Sequence, residues 1–212
     1  MLDLDATDDP LYGKQEGRFF HGYYGHYCYL PLYIFCGEHL LCARLRPANI
    51  DGSAGSLEEG EPIVAQIRQH WPQVKVILRA DSGFCRDALM SWCEHHQVDY
   101  VLGLSRNARL RQSVDAEMEQ ARALHAQTHQ TTRLFTEFSY QTRESWSSSR
   151  RVIAKVEYLD KGENPRFVVT SLSAERMAPQ PLYEPLYCAR GRWEIVARSS
   201  SPSSATGPAP PI

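Results

Sequence analysis

Residues 74–84, which read VKVILRADSGF, decide the fold. Their apolar run is rich in β-branched residues and predicts a strand that is buried on both faces. The run stops at Asp81, and a small Ser82-Gly83 turn follows. Open α/β sheets place their chemistry at the carboxyl ends of their strands. Asp81 is therefore a candidate functional acid.

Residues 2–7, LDLDAT, have the same design. Alternate residues of a strand point to opposite faces, which puts the apolar side chains of this stretch on one face and the polar ones on the other. The polar face carries Asp5 close to the end of the predicted strand. A second candidate acid thus ends a second strand.

A third acid lies late in the chain, where the sequence from residue 182 onward predicts a helix. Successive helical residues rotate by about 100°, so Tyr187, Arg190 and Glu194 lie at roughly 0°, 300° and 340°, on one face. A tyrosine and an arginine suit phosphate oxygens, and a carboxylate suits a metal ion. Because Mg²⁺ takes few carboxylates and keeps positions for substrate phosphates, three acids suffice for a two-metal centre.

The remaining pattern predicts an α/β sheet with an antiparallel hairpin and parallel strands. The hairpin spans residues 23–46, and Pro31 interrupts its first arm. A loop follows at 47–60. We then expect helices at 61–70, after Ser82 and at about 107–127, and strands at 100–104, 133–140, 152–159 and 166–172.

Composition narrows the class of protein. The chain has 212 residues, is 42% hydrophobic and carries a net charge of −2, so any basic surface must be local. It has no apolar span of transmembrane length and no signal peptide, and its six cysteines lack a C-x-x-C pair, which favours reduced thiols in the cytoplasm. Its His and Cys spacings fit no zinc template, and P-loop, G-x-S-x-G and dinucleotide motifs are absent.

The phrases LDLDATDDP, GRFFHGYYGHYCYLPLYIF and RADSGFCRD resemble one group of bacterial insertion-sequence DDE transposases. Asp5 stands in their Asp-x-Thr context, and Asp81 matches their second acid. Tyr187, Arg190 and Glu194 match the spacing of their Tyr-Arg-Glu-Lys signature, whereas Ser201 stands where the Lys is expected. The resemblance covers about residues 1–196.

The resemblance implies a ribonuclease H-like α/β fold, in which helices flank a mixed sheet and a β-rich insertion precedes the last helix. We expect a first core part at 1–106, an inserted α/β subdomain at 107–165, and a core completion with the Glu-bearing helix at 166–198. Residues 199–212, which are rich in Ser and Pro, predict a disordered, aberrant tail.

The resemblance also implies a mechanism and partners. Asp5, Asp81 and Glu194 are the expected catalytic and metal-binding residues, and they hold two Mg²⁺ ions for which Mn²⁺ can substitute. Tyr187 and Arg190 are expected to grip DNA phosphates. The partners are transposon ends and target DNA, with a homodimer in the intact family, no membrane, and a cytoplasmic, nucleoid-associated location.

Independently of the resemblance, the polar run at 141–151 predicts a basic loop in which Trp146 and Arg150 contact DNA; a solvated turn is the alternative. The aromatic run at 23–33 suits strand packing or base stacking.

Each acid also has a structural alternative. Asp5 has rival acids nearby and suits a solvated strand end, Asp81 suits a helix cap, and Glu194 suits a helix surface.

The missing Lys and the early Pro202 predict truncation after the third acid, and the strand with a candidate acid directly after Met1 predicts truncation before it. We therefore expect a fragment that is truncated at both ends. Besides the active enzyme, two functions stay open. One is a non-catalytic remnant that only folds or weakly binds DNA or transposase, and the other is a Mg²⁺-dependent nuclease of the same fold.

Overall fold

The computed structural model describes residues 1–190, and at Arg190 the backbone alone. Within this range the strands are β1 (Leu2–Ala6), β2 (Asp9–Pro10), β3 (Phe19–His21), β4 (His26–Tyr29), β5 (Leu32–Cys36), β6 (His39–Arg44), β7 (Ile77–Ala80), β8 (Asp99–Leu104), β9 (Thr132–Tyr140), β10 (Arg150–Leu159), β11 (Gly162–Glu163) and β12 (Arg166–Thr170).

The helices are α1 (Ser56–His70), α2 (Asp87–His95), α3 (Ala108–Gln112), α4 (Asp115–Thr128) and α5 (Pro179–Pro181). Helix α5 continues as a π-helical stretch (Leu182–Tyr187) and a 3-10 turn (Cys188–Arg190). Residues 179–190 together are called the C-terminal helical segment below.

Nine strands form one mixed sheet in the order β11-β10-β12-β8-β7-β1-β5-β6, with β9 also paired to β10. Strands β1, β7 and β8 run parallel, whereas β5 is antiparallel to β1 and forms a hairpin with β6. These directions confirm the predicted ribonuclease H-like sheet, in which a hairpin flanks a parallel centre.

Two layers of side chains cover this sheet. The α2 face is packed against Leu89 and Met90 of α2 and carries the larger core, which includes Leu4, Leu78 and Leu102. The C-terminal face carries Val101, Ile153 and Val168, which pack against Leu182 and Tyr183 of the C-terminal helical segment. Full burial of one such aliphatic side chain contributes about 1.5–3 kcal/mol, so both layers fix the sheet firmly.

Pro31 marks a change of sheet, as its position in the hairpin arm predicted. Strand β4 before it pairs with β2 and β3 in a separate three-stranded sheet, whereas β5 after it joins the main sheet. Proline has no N–H to give to a ladder, so the chain breaks there.

Helix α1 corrects the predicted loop at 47–60, because the helix begins at Ser56 rather than at residue 61. Glu58 and Glu59 lie in its first turn, where negative charge is favourable, and Pro62 lies inside the helix. Its buried residues Ser56, Gly60 and Val64 recur every fourth position. A small-residue stripe gives little hydrophobic signal, which is why the sequence pattern placed the start at residue 61.

Strands β9, β10 and β11 and helices α3 and α4 fall in the predicted insertion at 107–165. Strand β10 pairs with β12 and so extends the main sheet. The predicted domain boundaries stay a prediction.

The six cysteines, all within the described part, carry free thiols. None of the described helices has the length and apolarity needed to cross a bilayer.

Candidate active site

Asp5 and Asp81 end neighbouring parallel strands at the same level. Strand β1 pairs with β7 through Asp3 and Arg79, and the same offset places Asp5 beside Asp81 two residues later. Neighbouring strands lie about 4.8 Å apart, and residues two apart share a face. The two partly buried acids therefore emerge side by side at the carboxyl edge of the sheet.

A buried ion pair lies directly below these acids on the same face. The guanidinium of Arg79 donates from Nε to Asp3 Oδ1 at 2.5 Å and from Nη2 to Asp3 Oδ2 at 2.9 Å. The two side chains are only 2% and 6% exposed. Bidentate pairs of this kind fix geometry as well as charge, so the pair locks β1 and β7 in register.

The same arginine also holds the C-terminal helical segment. Its Nη1 donates to the backbone carbonyl oxygen of Leu186 at 2.5 Å. Arg79 therefore joins three elements, β1, β7 and the segment that leads towards the third predicted acid.

Asp81 caps the turn that follows it. Its Oδ1 accepts a hydrogen bond from the backbone N–H of Gly83 at 2.8 Å, at the start of a 3-10 turn (Ser82–Phe84). The capping alternative given for Asp81 is thus confirmed. A carboxylate has about four acceptor sites, so a cap of this kind leaves room for metal coordination.

Gly103 leaves the space that Tyr187 fills. Strand β8 runs beside β7, and the register that pairs Arg79 with Val101 places Gly103 beside Asp81. A Cβ on Gly103 would lie 2.5 Å from the Tyr187 hydroxyl oxygen and 2.8 Å from the backbone nitrogen of Ser82. The Tyr187 hydroxyl therefore lies next to the peptide that follows Asp81.

Tyr24 also lies near both acids. Burial raises the pKa of its hydroxyl above the ordinary value, and negative charge on Asp8, Asp5, Tyr23 and Asp81 raises that pKa further. Tyr24 also packs on the same buried cluster as Ala6, the residue after Asp5. The turn between β3 and β4 of the three-stranded sheet thus brings Tyr24 towards the edge where the acids converge.

Residues 1–201 match the family model described as transposase DDE domain group 1. The chain belongs to this family. No curated protein sequence matches it significantly. Among solved structures, the piggyBac transposase synaptic complex with hairpin DNA aligns at 12% sequence identity and a TM-score of 0.48, over 93% of this chain. The chain spans about 40% of the length of that transposase.

In this DDE transposase domain, Glu194 lies outside the described residues, as does the side chain of Arg190. Within residues 1–190, no group of three His, Cys, Asp or Glu side chains is placed to hold a metal ion. Asp5 and Asp81 nevertheless provide carboxylates from adjacent strands, and this donor set suits a hard cation such as Mg²⁺. The described part of the domain thus contains two of the three predicted acids.

Trp146 and Arg150 lie apart from this site, on the α2 face. The side chain of Arg150 is 3% exposed and donates to Asp87 Oδ1 and Glu94 Oε1, both at 2.7 Å. Its guanidinium also lies 5.6 Å from the centre of the buried Trp146 ring. This geometry gives no support to the predicted DNA contact, because the charge is neutralised and shielded from the surface.

Sequence reasoning missed the ion pair of Asp3 with Arg79 and the close approach at Gly103. An acid and an arginine inside buried strands are themselves a signal, because charged side chains are almost never buried without a partner. A glycine inside a buried strand likewise indicates a close approach of another group. The identity of that group depends on contacts from residues far along the chain.

Proposed function

We propose that this domain catalyses metal-dependent cleavage and transfer of DNA strands in transposition. Asp5, Asp81 and Glu194 are its three acids, and transposon ends and target DNA are its substrates. The observation that carries the proposal is the shared register of Asp5 and Asp81 at the carboxyl edge. Family membership supports the same reaction class.

The three acids would hold two Mg²⁺ ions, or Mn²⁺ in their place. Bound metal ions of this kind supply Lewis-acid stabilisation of phosphate oxygens and a more acidic bound water or hydroxyl. Asp81 is oriented for this role by its hydrogen bond from Gly83, and Asp5 by its place in the ladder of β1. The acids would contribute by fixing where the ions bind, because in-line phosphoryl transfer depends on how the attacking and leaving oxygens are held.

The remaining residues orient the DNA and the third acid. The Tyr187 hydroxyl, next to the peptide after Asp81, would donate a hydrogen bond to a phosphate oxygen. The Arg190 guanidinium would contact the phosphate beside it. The ion pair of Asp3 and Arg79 holds the segment that carries both residues, so it acts as a positioning device. The working assembly would be a homodimer.

Nicking of supercoiled plasmid DNA in Mn²⁺ tests this function. The wild-type chain is compared with Asp5→Asn and Asp81→Asn, and the matched control is Asp115→Asn, which changes an exposed acid at the start of α4. We expect nicking in the wild type and the control and background levels in both site variants. Equal nicking by the Asp81→Asn variant would contradict the proposal.

The alternative functions give different results in the same assay. A folded wild-type chain that binds Mn²⁺ but does not nick the plasmid would be a non-catalytic remnant. Nicking without any preference for transposon ends in a longer substrate would indicate a nuclease of the same fold.

A further inference from the structure

A cavity of about 290 Å³ lies next to the residue that follows Asp81. It lies between the end of β8 and the start of β12, and Tyr183 and Tyr187 of the C-terminal helical segment line one side. Ser82, the residue after Asp81, also lines it. Its volume is at the lower end for ligand pockets, which suits part of a polymer rather than a whole cofactor.

Two arginines give this cavity a positive charge. Arg106 and Arg166 line it and both are exposed, and among the described residues no Asp or Glu lines it. In the part of the chain that the structure describes, neither arginine forms an ion pair, unlike the exposed Arg133 and Arg176. The cavity is therefore a local basic surface on a chain whose net charge is −2.

Aromatic side chains of the C-terminal helical segment complete the lining. Tyr183, which lines the cavity with Tyr187, is buried at 7% exposure. Burial raises the pKa of the Tyr183 hydroxyl, and the positive charge of Arg166 acts in the opposite direction. Arginines beside aromatic side chains are the combination that proteins use to bind a single nucleic-acid strand.

The register sets the distance to the acids. Strand β12 is separated from β7 by β8. Arg166 on β12 therefore lies about 10 Å, or two strand spacings, to the side of the strand that ends at Asp81. Arg166 and Gly103 both lie on the C-terminal face, as the pairing of Val168 with Gly103 indicates. A DNA strand whose phosphate lies at Asp81 can therefore reach this cavity with one of its next phosphates.

We propose that Arg106 and Arg166 bind a phosphodiester of a single DNA strand, next to the phosphate that is held at Asp5 and Asp81. This subsite rests on the proposed function, which it extends by naming where the strand continues. The guanidinium groups take the phosphate oxygens, and Tyr183 and Tyr187 lie beside the adjoining nucleotide.

Fluorescence anisotropy with a fluorescein-labelled deoxythymidine oligonucleotide in EDTA tests the subsite. The variants are Arg106→Gln, Arg166→Gln and the double variant, with Arg143→Gln as the control, an exposed arginine in the loop at 141–149. We expect the double variant to bind at least about tenfold more weakly. Its salt slope should fall by about 1.4, because each single-strand phosphate contact contributes about 0.7.

The control variant should stay within about twofold of the wild type in affinity, with an unchanged salt slope. Double-variant affinity and slope equal to those of the wild type would overturn the subsite, as would a wild-type chain that does not bind the oligonucleotide. A Mn²⁺ titration of the same proteins separates this result from the proposed catalysis. Weakened DNA binding with no metal binding at Asp81 would refute the catalytic site and leave the subsite standing.

Discussion

Arg79 and Arg150 are both buried and both paired with carboxylates, but they join different parts of the domain. Arg79 binds one acid in a bidentate pair and also a backbone carbonyl of the C-terminal helical segment, on the face that carries the candidate site. Arg150 binds Asp87 and Glu94 of α2 on the opposite face. The side chains of Asp87 and Glu94 stay 27% and 35% exposed, whereas that of Asp3 is 6% exposed.

This difference indicates two roles for similar ion pairs. The carboxylate of Asp3 is buried and would lose its ion-pair partner, and the segment over the site would lose a hydrogen bond at the same time. The partners of Arg150 can be hydrated when the arginine is lost, and no site residue depends on them. Arg79 should therefore affect both stability and the site, and Arg150 stability alone.

The largest loss in the free energy of unfolding is expected for Arg79→Met. This change leaves the Asp3 carboxylate buried without its partner, and breaking a buried pair costs about 3–5 kcal/mol. Denaturant unfolding measures the loss. The matched double variant Asp3→Leu/Arg79→Met removes both charges and should recover most of that stability. A cost below about 1 kcal/mol for the single variant would contradict the role given to the pair.

Arg150→Met should have a smaller effect on stability, because its partners are partly exposed. Loss of hydrogen bonds to charged groups costs about 1.5–3 kcal/mol. Binding of Mn²⁺ at Asp5 and Asp81 should not change in this variant. Weakened metal binding in a folded Arg150→Met protein would contradict the claim that Arg150 affects stability alone.

Gly103→Ala tests the second contact that holds the C-terminal helical segment at the site. The new methyl group would overlap the Tyr187 hydroxyl and the Ser82 backbone, and overpacking of this kind costs about 1–3 kcal/mol. Gly60→Ala is the control, since a Cβ there has no neighbour within 4 Å and the helix gains about 0.5–1 kcal/mol. Thermal unfolding of both variants should show opposite shifts, and a neutral Gly103→Ala would refute the close packing.

The smallest effect on stability is expected when the pH is lowered. Burial raises the pKa of the Asp87 and Glu94 carboxyls, but hydrogen bonds from Ser147, Arg150 and Tyr100 hold both pKa values below the ordinary 3.8 and 4.5. The unfolded chain therefore binds more protons in this range, so stability is lost as the pH falls below about 4.5 and then 3.8. Melting temperatures across acid pH should fall less steeply in Arg150→Met than in the wild type; equal slopes would contradict this assignment.

The strands that carry the acids were predictable because their patterns are local. The apolar run before Asp81 and the alternation around Asp5 each indicate a strand that ends at an acid, and the proline at 31 indicates a break. Each of these signals lies within a few neighbouring residues, where strand periodicity and turn chemistry act.

The positioning contacts were not predictable in the same way. Arg79 contacts Asp3 and Leu186, which are far from it along the chain, and Gly103 accommodates Tyr187. Such contacts depend on strand register and helix placement rather than on local pattern. Arg150 looked like a surface cation for the same reason, because its acidic partners belong to another element.

The central claim is that Asp5 and Asp81 form one metal site, and a double-mutant cycle on Mn²⁺ binding tests it most directly. Calorimetric titration would compare the wild type with Asp5→Asn, Asp81→Asn and the double variant. If both acids hold the same ions, each single change weakens binding about as much as the double change, because residues that act as one unit are not additive. Two independent, additive losses, or binding that survives in the double variant, would contradict a shared site.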